Sequence, residues 1–121
     1  MYINDVSDAN VATATNDTIA YLTGNTNWTL ANTGNPSNCD IADFYLDLVN
    51  FTDLTNIGNR RKFISSSLAP MNLGANGQTP TGSSPIVFFS GPSSGWLTNK
   101  GTGGGMTIAS GALGVASSNP P

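Results

Sequence analysis

Histidine and glutamate are absent from this sequence, and cysteine occurs once, as Cys39. Without histidine, the chain has no His-based catalytic triad, no His metal site and no His acid–base chemistry. A single cysteine excludes an intrachain disulfide, so the chain is not a disulfide-stapled secreted module. Residues 1–5 show neither the basic nor the apolar region of a signal peptide, and no run approaches the ~18 apolar residues of a membrane span. These absences predict a protein made in the cytoplasm without a membrane partner.

Charge is also scarce, because only 9% of the residues are charged against an average near ~25%. Asn, Thr, Ser and Gly supply the polarity instead, and they favour turns and strand surfaces over helix interiors. The net charge of −3 argues against a nucleic-acid partner, which usually needs a basic stripe. All seven acids precede residue 54 and all four bases follow it. This separation is either chance or a sign that the two halves, or neighbouring copies, meet with complementary potential.

The clearest periodic pattern is an alternation of apolar and polar side chains from residue 41 to residue 49. The apolar set, which would share one face of a strand, comprises Ala42, Phe44, Leu46 and Leu48. The residues between them are polar at positions 43, 45 and 47. A period of two predicts a half-buried β-strand whose apolar face packs on a core.

The rest of the first 52 residues is β-like as well. Short β-compatible runs at 1–6, 18–22 and 28–30 are separated by Gly, Asn and Pro. Such spacing predicts an antiparallel sheet. We therefore predict that residues 1–52 form an antiparallel β core, in a chain of 121 residues that fits one domain.

The pattern changes after residue 52. A helical stripe predicts a short helix within residues 53–68, with Thr52 or Asp53 as its N-cap. Residues 69–121 are rich in Gly and Pro and predict a long loop or arm with one strand at 85–90 and an extended tail. The predicted fold class is therefore mainly β, with one short helix and a long Gly/Pro-rich C-terminal arm.

A basic triplet is the first candidate contact with a partner protein. It comprises Arg60, Arg61 and Lys62, near the C-terminal end of the predicted helix, where positive charge is favoured. The triplet is either a solvated face or a contact with an acidic neighbouring surface.

An apolar group is the second candidate contact. Phe88 and Phe89 belong to the most hydrophobic run of the chain, and Trp96 follows in a Gly/Ser setting. An apolar strand that is neither paired nor covered promotes association. The run therefore packs either on a partner or on the core of its own chain.

Tyr45 and Asp43 are candidate glycan contacts. Tyrosine can stack on a sugar ring, and Asp43 lies two residues away on the same predicted strand face. The alternative is that Tyr45 is an ordinary core or interface aromatic.

No group of residues indicates catalysis, a metal or a cofactor. Asp43 and Asp47 would lie about 13 Å apart at ~3.4 Å per residue on a regular strand, beyond the ~5–9.5 Å that glycosidase carboxylates use. The glycine-rich run 100–105 lacks the Gly-Lys-Ser/Thr ending of a phosphate loop, so we predict a flexible or close-packed turn. Oxygens at residues 4, 5, 8 and 10 match no EF-hand spacing, which favours a hydrogen-bonded turn over a calcium site. We expect a non-enzymatic protein without a cofactor.

The motifs YINDV at residues 2–6, WTL at residues 28–30 and DIADFYL at residues 40–46 resemble those of the concanavalin-like (laminin-G-like) β-sandwich domains. Residues 2–6 (YINDV) resemble the family's "Y-V-N-G" hairpin, and residues 28–30 (WTL) the strand after it. Residues 40–46 (DIADFYL) resemble its late "G-x-I-D-x-V-x-I-Y" strand. Runs beginning at residues 59, 79 and 99 are similar to the C-terminal extension of such domains in virion proteins of tailed phages.

The resemblance implies an antiparallel β-sandwich or half-sandwich of jelly-roll type. Complete domains of this family run to roughly 200 residues, so this chain would match the later part of one. A half-sandwich has an open sheet edge and an uncovered face. The expectation is that another copy of the chain or a capsid surface supplies the missing cover.

The function that follows is structural. We expect a capsid decoration or cement subunit of a bacteriophage, located in the virion and stabilised by assembly. Its partners would be the major capsid protein or another virion protein, together with further copies of itself in a homo-oligomer. The alternative is a carbohydrate-binding adhesion module of a tail fibre or another surface appendage.

Overall fold

The computed structural model of the chain describes residues 2–3, 6–7, 41–108 and 111–115. The chain divides into two compact units, Met1–Cys39 and Asp40–Pro121. The described residues form short antiparallel strands and one short helix, which confirms the mainly β class. The strands predicted at 18–22 and 28–30 lie outside the described residues, as do the turn residues weighed as a calcium site.

The first unit contains one described pair of strands. β1 (Tyr2–Ile3) runs antiparallel to β2 (Val6–Ser7). Tyr2 lies opposite Ser7, and Ile3 lies opposite Val6.

The second unit is built on a two-stranded sheet. β3 (Phe44–Leu46) pairs antiparallel with β4 (Val87–Phe89), with Phe44 opposite Phe89 and Leu46 opposite Val87. β4 lies within the predicted arm and packs on the core of its own chain, which is one of the two alternatives that the sequence left open for this run. The structure divides the chain after residue 39, whereas the sequence predicts a boundary at residue 52; β3 and its partner β4 both belong to the second unit.

β3 is shorter than the strand predicted over 41–49. It ends at Leu46 because the Asp47 carboxylate accepts hydrogen bonds from the main-chain N–H groups of Val49 (2.9 Å) and Asn50 (3.0 Å). A side chain that bonds the main chain two and three residues ahead forms a turn in place of a ladder. β4 is also shorter than the predicted run 85–90, and it begins after Pro85, which has no N–H to donate to a ladder.

Aromatic rings pack on both faces of this sheet. On one face, Phe89 lies 6.1 Å from Phe44 and 5.3 Å from Trp96, measured between ring centroids. On the other face, Tyr45 meets Phe63 edge-on at 5.4 Å and Phe88 at 6.3 Å. The alternation thus assigned each residue to the correct face. The expectation that only the face of Ala42, Phe44, Leu46 and Leu48 needs a core was wrong, because Tyr45 brings a second aromatic group to the opposite face.

Asn99 joins the glycine-rich run to β4. Its side-chain oxygen accepts from the N–H groups of Phe88 (2.8 Å) and Gly101 (2.9 Å), and its amide donates to the carbonyls of Ile86 (2.9 Å) and Gly104 (3.1 Å). The Asn99 side chain therefore makes all four hydrogen bonds available to it, two as an acceptor and two as a donor.

The main chain that follows Asn99 lies directly against residues 85–88. The N–H groups of Lys100, Thr102 and Gly103 donate to the carbonyls of Phe88, Pro85 and Ile86 at 2.8–2.9 Å. Because these N–H groups already donate within the chain, they are not available to bind a phosphate. The run is the close-packed turn that the sequence predicted.

The helix α1 (Ile57–Arg60) is much shorter than the predicted region 53–68. Its N-cap is Asn56, whose side chain accepts from the N–H of Gly58 at 2.8 Å. The predicted caps Thr52 and Asp53 were wrong, because Asp53 instead accepts from the main chain and hydroxyl of Thr55. Gly58 weakens the helix interior.

Candidate functional site

A turn after β3 fixes two exposed apolar side chains. The Asp47 carboxylate holds the main chain of Val49 and Asn50, and the Asn50 amide donates to Asp47 Oδ2 and to Ser83 Oγ, both at 3.0 Å. Asn50 is thereby tied to a residue 33 positions further along the chain. On either side of it, Val49 is 87% exposed and Phe51 is 93% exposed.

These two residues belong to a longer run that we name the apolar segment. It comprises the exposed large apolar side chains Leu48, Val49, Phe51, Leu54 and Ile57. Single exposed apolar residues are normal on a protein surface. Five within ten consecutive residues are a concentration of the kind that marks interaction sites.

The charge of Asp47 depends on this turn. Burial raises the pKa of Asp47, but hydrogen bonds from Asn50, Val49 and the Tyr45 hydroxyl together outweigh burial and leave that pKa below its ordinary value. A carboxylate with a lowered pKa stabilises the fold above the pKa of the unfolded chain, and this contribution is lost as pH falls through the folded-state pKa. The turn should therefore be weaker in acid.

We expect Asp47→Asn to destabilise the chain more at pH 7 than at pH 2. The substitution keeps one acceptor oxygen and removes the charge, so the expected cost at pH 7 is a few tenths to about 1 kcal/mol after solvent screening. Acid protonates a growing share of the native carboxyl, so the difference in free energy of unfolding between the two chains should narrow as the pH falls from 7 to 2. Urea unfolding at both pH values measures the difference. A gap of the same size at both would contradict this account of the turn.

The basic triplet follows the apolar segment directly. Arg60 donates to the carbonyls of Leu54 (2.8 Å) and Thr55 (3.0 Å), and Lys62 donates to the carbonyl of Pro80 (3.0 Å). Arg61 donates to the carbonyl of Ser65 at 3.4 Å. The three side chains therefore help to shape the chain around α1, and Lys62 is also exposed to solvent.

The three aromatic residues predicted to contact a partner lie in the core. Phe88 is 1% exposed, Phe89 is 0% exposed and Trp96 is 7% exposed. The indole N–H of Trp96 donates to the carbonyl of Ala42 at 2.9 Å. Of the two alternatives for this run, the structure places the rings against the chain's own sheet, so they offer no surface to a partner or to a sugar.

The candidate glycan residues, Tyr45 in β3 and Asp43 just before it, form hydrogen bonds with different neighbours. The Tyr45 hydroxyl donates to Asp47 Oδ2 at 3.4 Å. Asp43 is hydrogen-bonded by Ser90, and Lys100 donates to Ser90 Oγ at 3.2 Å. Burial raises the pKa of Asp43, although Ser90 and the charge of Lys100 act to lower it. Ser90 thus links an acid of the first half of the chain to a base of the second.

Sequence reasoning missed Val49 and Phe51. They follow the end of the alternating pattern, and no periodicity distinguishes them. The available signal was Asp47 followed three residues later by Asn50, a pair of side chains that favours turns.

Among the described residues, no three Asp or Cys side chains come together as a metal-binding group. The described part of the chain also has no helix with the length and hydropathy needed to cross a membrane.

Comparisons of this chain with protein-family models, with curated proteins and with solved structures find no match.

Proposed function

We propose that this chain is a non-enzymatic structural protein of a bacteriophage particle, a decoration or cement subunit that docks on the capsid. It is located in the virion, and its partners are the major capsid protein or another virion protein and further copies of itself. The finer fold, an antiparallel β-sandwich or half-sandwich of jelly-roll type, is part of the same proposal.

The observation that carries the proposal is the exposure of Val49 and Phe51 on a hydrogen-bonded turn. Binding costs less when the contact residues are already ordered, because less conformational entropy is lost. Aromatic side chains that enter a partner's pocket dominate binding energy at many interfaces. The turn holds the main chain beside Phe51, which supplies an exposed aromatic side chain. The basic triplet adds complementarity to an acidic surface.

The glycan-binding alternative has less support. Trp96 is buried and its indole N–H is bonded within the chain. Tyr45 packs edge-on against Phe63 and Phe88. A sugar platform needs an exposed ring face with free polar neighbours, and neither residue provides one as readily as Phe51 provides an apolar contact.

The double variant Val49→Ser/Phe51→Ser tests the docking role. We expect it to fold normally and to bind capsids at least tenfold more weakly than the wild-type chain, because it loses two exposed anchors of the kind described above. Co-sedimentation of the purified proteins with capsids lacking the subunit measures the effect. The matched control is Ser66→Ala/Ser67→Ala, which changes two exposed residues outside the apolar segment.

The location of the protein is tested independently. Immunogold labelling of intact virions is expected to mark the head. A chain that light scattering shows to be a stable monomer, that does not sediment with capsids and that binds glycans would replace the proposal with the adhesion alternative.

A further inference from the structure

We propose that the outer edge of β3, together with its flanking residues Asp43 and Asp47, binds an extended strand of a partner protein that carries basic residues four positions apart. The inference deepens the proposed function, since it names the chemistry of a partner segment, and it rests on that function only for the partner's identity. It concerns a surface different from the apolar segment.

The hydrogen bonds of β4 show which way β3 is turned. The carbonyl of Phe88 accepts a hydrogen bond from the main-chain N–H of Lys100, and the N–H of Phe88 donates to the side-chain oxygen of Asn99. Both main-chain groups of Phe88 therefore point away from β3. In an antiparallel pair, residues that exchange no bonds alternate with residues that exchange two. Tyr45, which lies opposite Phe88, must also direct its N–H and C=O away from the sheet.

Asp43 and Asp47 flank β3 at the next positions of the same alternation, so an added strand that extended the ladder by one residue at each end would meet their main-chain groups. Among the described residues, none forms a hydrogen bond to the main-chain groups of Asp43, Tyr45 or Asp47 on this outer side. The corresponding edge of β4 is covered by the run that follows Asn99. Within the described part of the chain, β3 therefore offers the open edge of this sheet, and such an edge is a template for an added strand.

Charge selects the kind of strand that fits. Asp43, Tyr45 and Asp47 share a face, so two carboxylates flank the central tyrosine. In the register that pairs all three outward residues, a second copy would place one copy's Asp43 opposite the other's Asp47. Like charges directly opposite are destabilising, whereas opposite charges stabilise a cross-strand pair. The favoured occupant is a strand with a cation at each end and an uncharged residue in the middle.

The two ends of the edge are not equivalent. Asp43 already accepts a hydrogen bond from Ser90 and interacts electrostatically with Lys100. Asp47 is hydrogen-bonded by neutral groups only: the main chain of Val49 and Asn50, the amide of Asn50 and the hydroxyl of Tyr45. A basic residue of the partner should therefore contribute more opposite Asp47 than opposite Asp43.

A capped peptide of sequence Thr-Lys-Thr-Val-Thr-Lys-Thr tests the proposal on the full-length chain. In the antiparallel register with its valine opposite Tyr45, the two lysines lie opposite Asp43 and Asp47. We expect the main-chain amide signals of residues 43–47 to shift in a nuclear magnetic resonance titration and the Tyr45 amide to exchange more slowly with solvent. The same peptide with glutamate in place of both lysines should bind about tenfold more weakly.

Two controls separate edge pairing from charge attraction alone. N-methylation of the peptide valine removes the N–H that donates to the Tyr45 carbonyl and should weaken binding about fivefold. Tyr45→Ala and Tyr45→Pro both lose the ring, but only the proline loses the outward N–H, and an edge strand tolerates proline there. We expect the alanine variant to bind more tightly than the proline variant.

Three results would overturn the inference. The first is slow exchange of the Tyr45 amide in the free chain, which would show that the edge is already covered. The second is equal binding of the lysine and glutamate peptides. The third is that N-methylation of the peptide does not weaken binding. Capsid sedimentation of the same preparation keeps this test separate from the docking proposal. A chain that sediments but ignores the peptide refutes the edge alone, while a chain that binds the peptide but does not sediment refutes docking alone.

Discussion

Replacing Phe89 by alanine is expected to lower the free energy of unfolding by about 3–5 kcal/mol. The Phe89 side chain is fully buried, and its ring contacts Phe44 across the strand pair and Trp96 beyond it. The substitution removes apolar burial and leaves a cavity between two rings that cannot close it completely. A small domain has roughly 5–15 kcal/mol of stability in total, so much of the population should unfold under mild denaturant.

Urea unfolding followed by circular dichroism measures this loss. Phe51→Ala is the matched control, because it deletes the same side chain from an exposed position and should change stability by no more than about 0.5 kcal/mol. The order of the two effects should reverse in capsid binding, because there Phe51→Ala is the substitution expected to weaken binding. Equal destabilisation by the two substitutions would mean that Phe89 is not in the core.

The second large effect is expected from Gly101→Ala. A Cβ atom at residue 101 would lie 2.4 Å from the carbonyl oxygen of Pro85 and 3.0 Å from that of Ile86. Both obstacles are main-chain atoms, which cannot rotate out of the way as a side chain can. The run after Asn99 would have to move off β4 and lose its bonds to Pro85 and Phe88. We expect a loss of at least about 2 kcal/mol.

Gly104→Ala is the control for this prediction. A Cβ at Gly104 meets no atom within 4 Å, so alanine should be neutral or should stabilise the chain by up to about 1 kcal/mol through the unfolded state. Thermal unfolding of the two variants side by side makes the comparison. If Gly101→Ala proves as mild as Gly104→Ala, the glycine run does not pack on Pro85 and Ile86 as described.

The sequence predicted which face of a strand each residue occupies, but it did not predict which strands pair with each other. Alternation from residue 41 placed Phe44 and Tyr45 on opposite sides of a strand because side-chain direction follows directly from strand geometry. It could not show that β3 pairs with residues 87–89, because pairing across a long loop depends on the combined packing of the whole core. Strand length was misjudged for a local reason, since the Asp47 side chain competes for main-chain donors that a longer ladder would have used.

The candidate site was less predictable than the fold. Hydrophobicity alone selected Phe88, Phe89 and Trp96 as partner contacts, although the same property suits a core. Phe51 looked ordinary because it stands between Asn50 and Thr52, outside any pattern. What distinguishes it is the pair of hydrogen bonds through which the Asn50 side chain anchors the turn beside it, and such bonds depend on a distant residue that local sequence does not specify.

The pairing of β3 with β4 also sets the order of events during synthesis. The two strands are about 40 residues apart along the chain, and a ribosome adds ~5–20 residues per second. For several seconds the nascent chain presents Phe44 and Tyr45 without the strand that covers them. Non-local pairing of this kind folds slowly compared with local helices. The interval before Phe88 and Phe89 emerge is therefore when the chain is most exposed to misassembly.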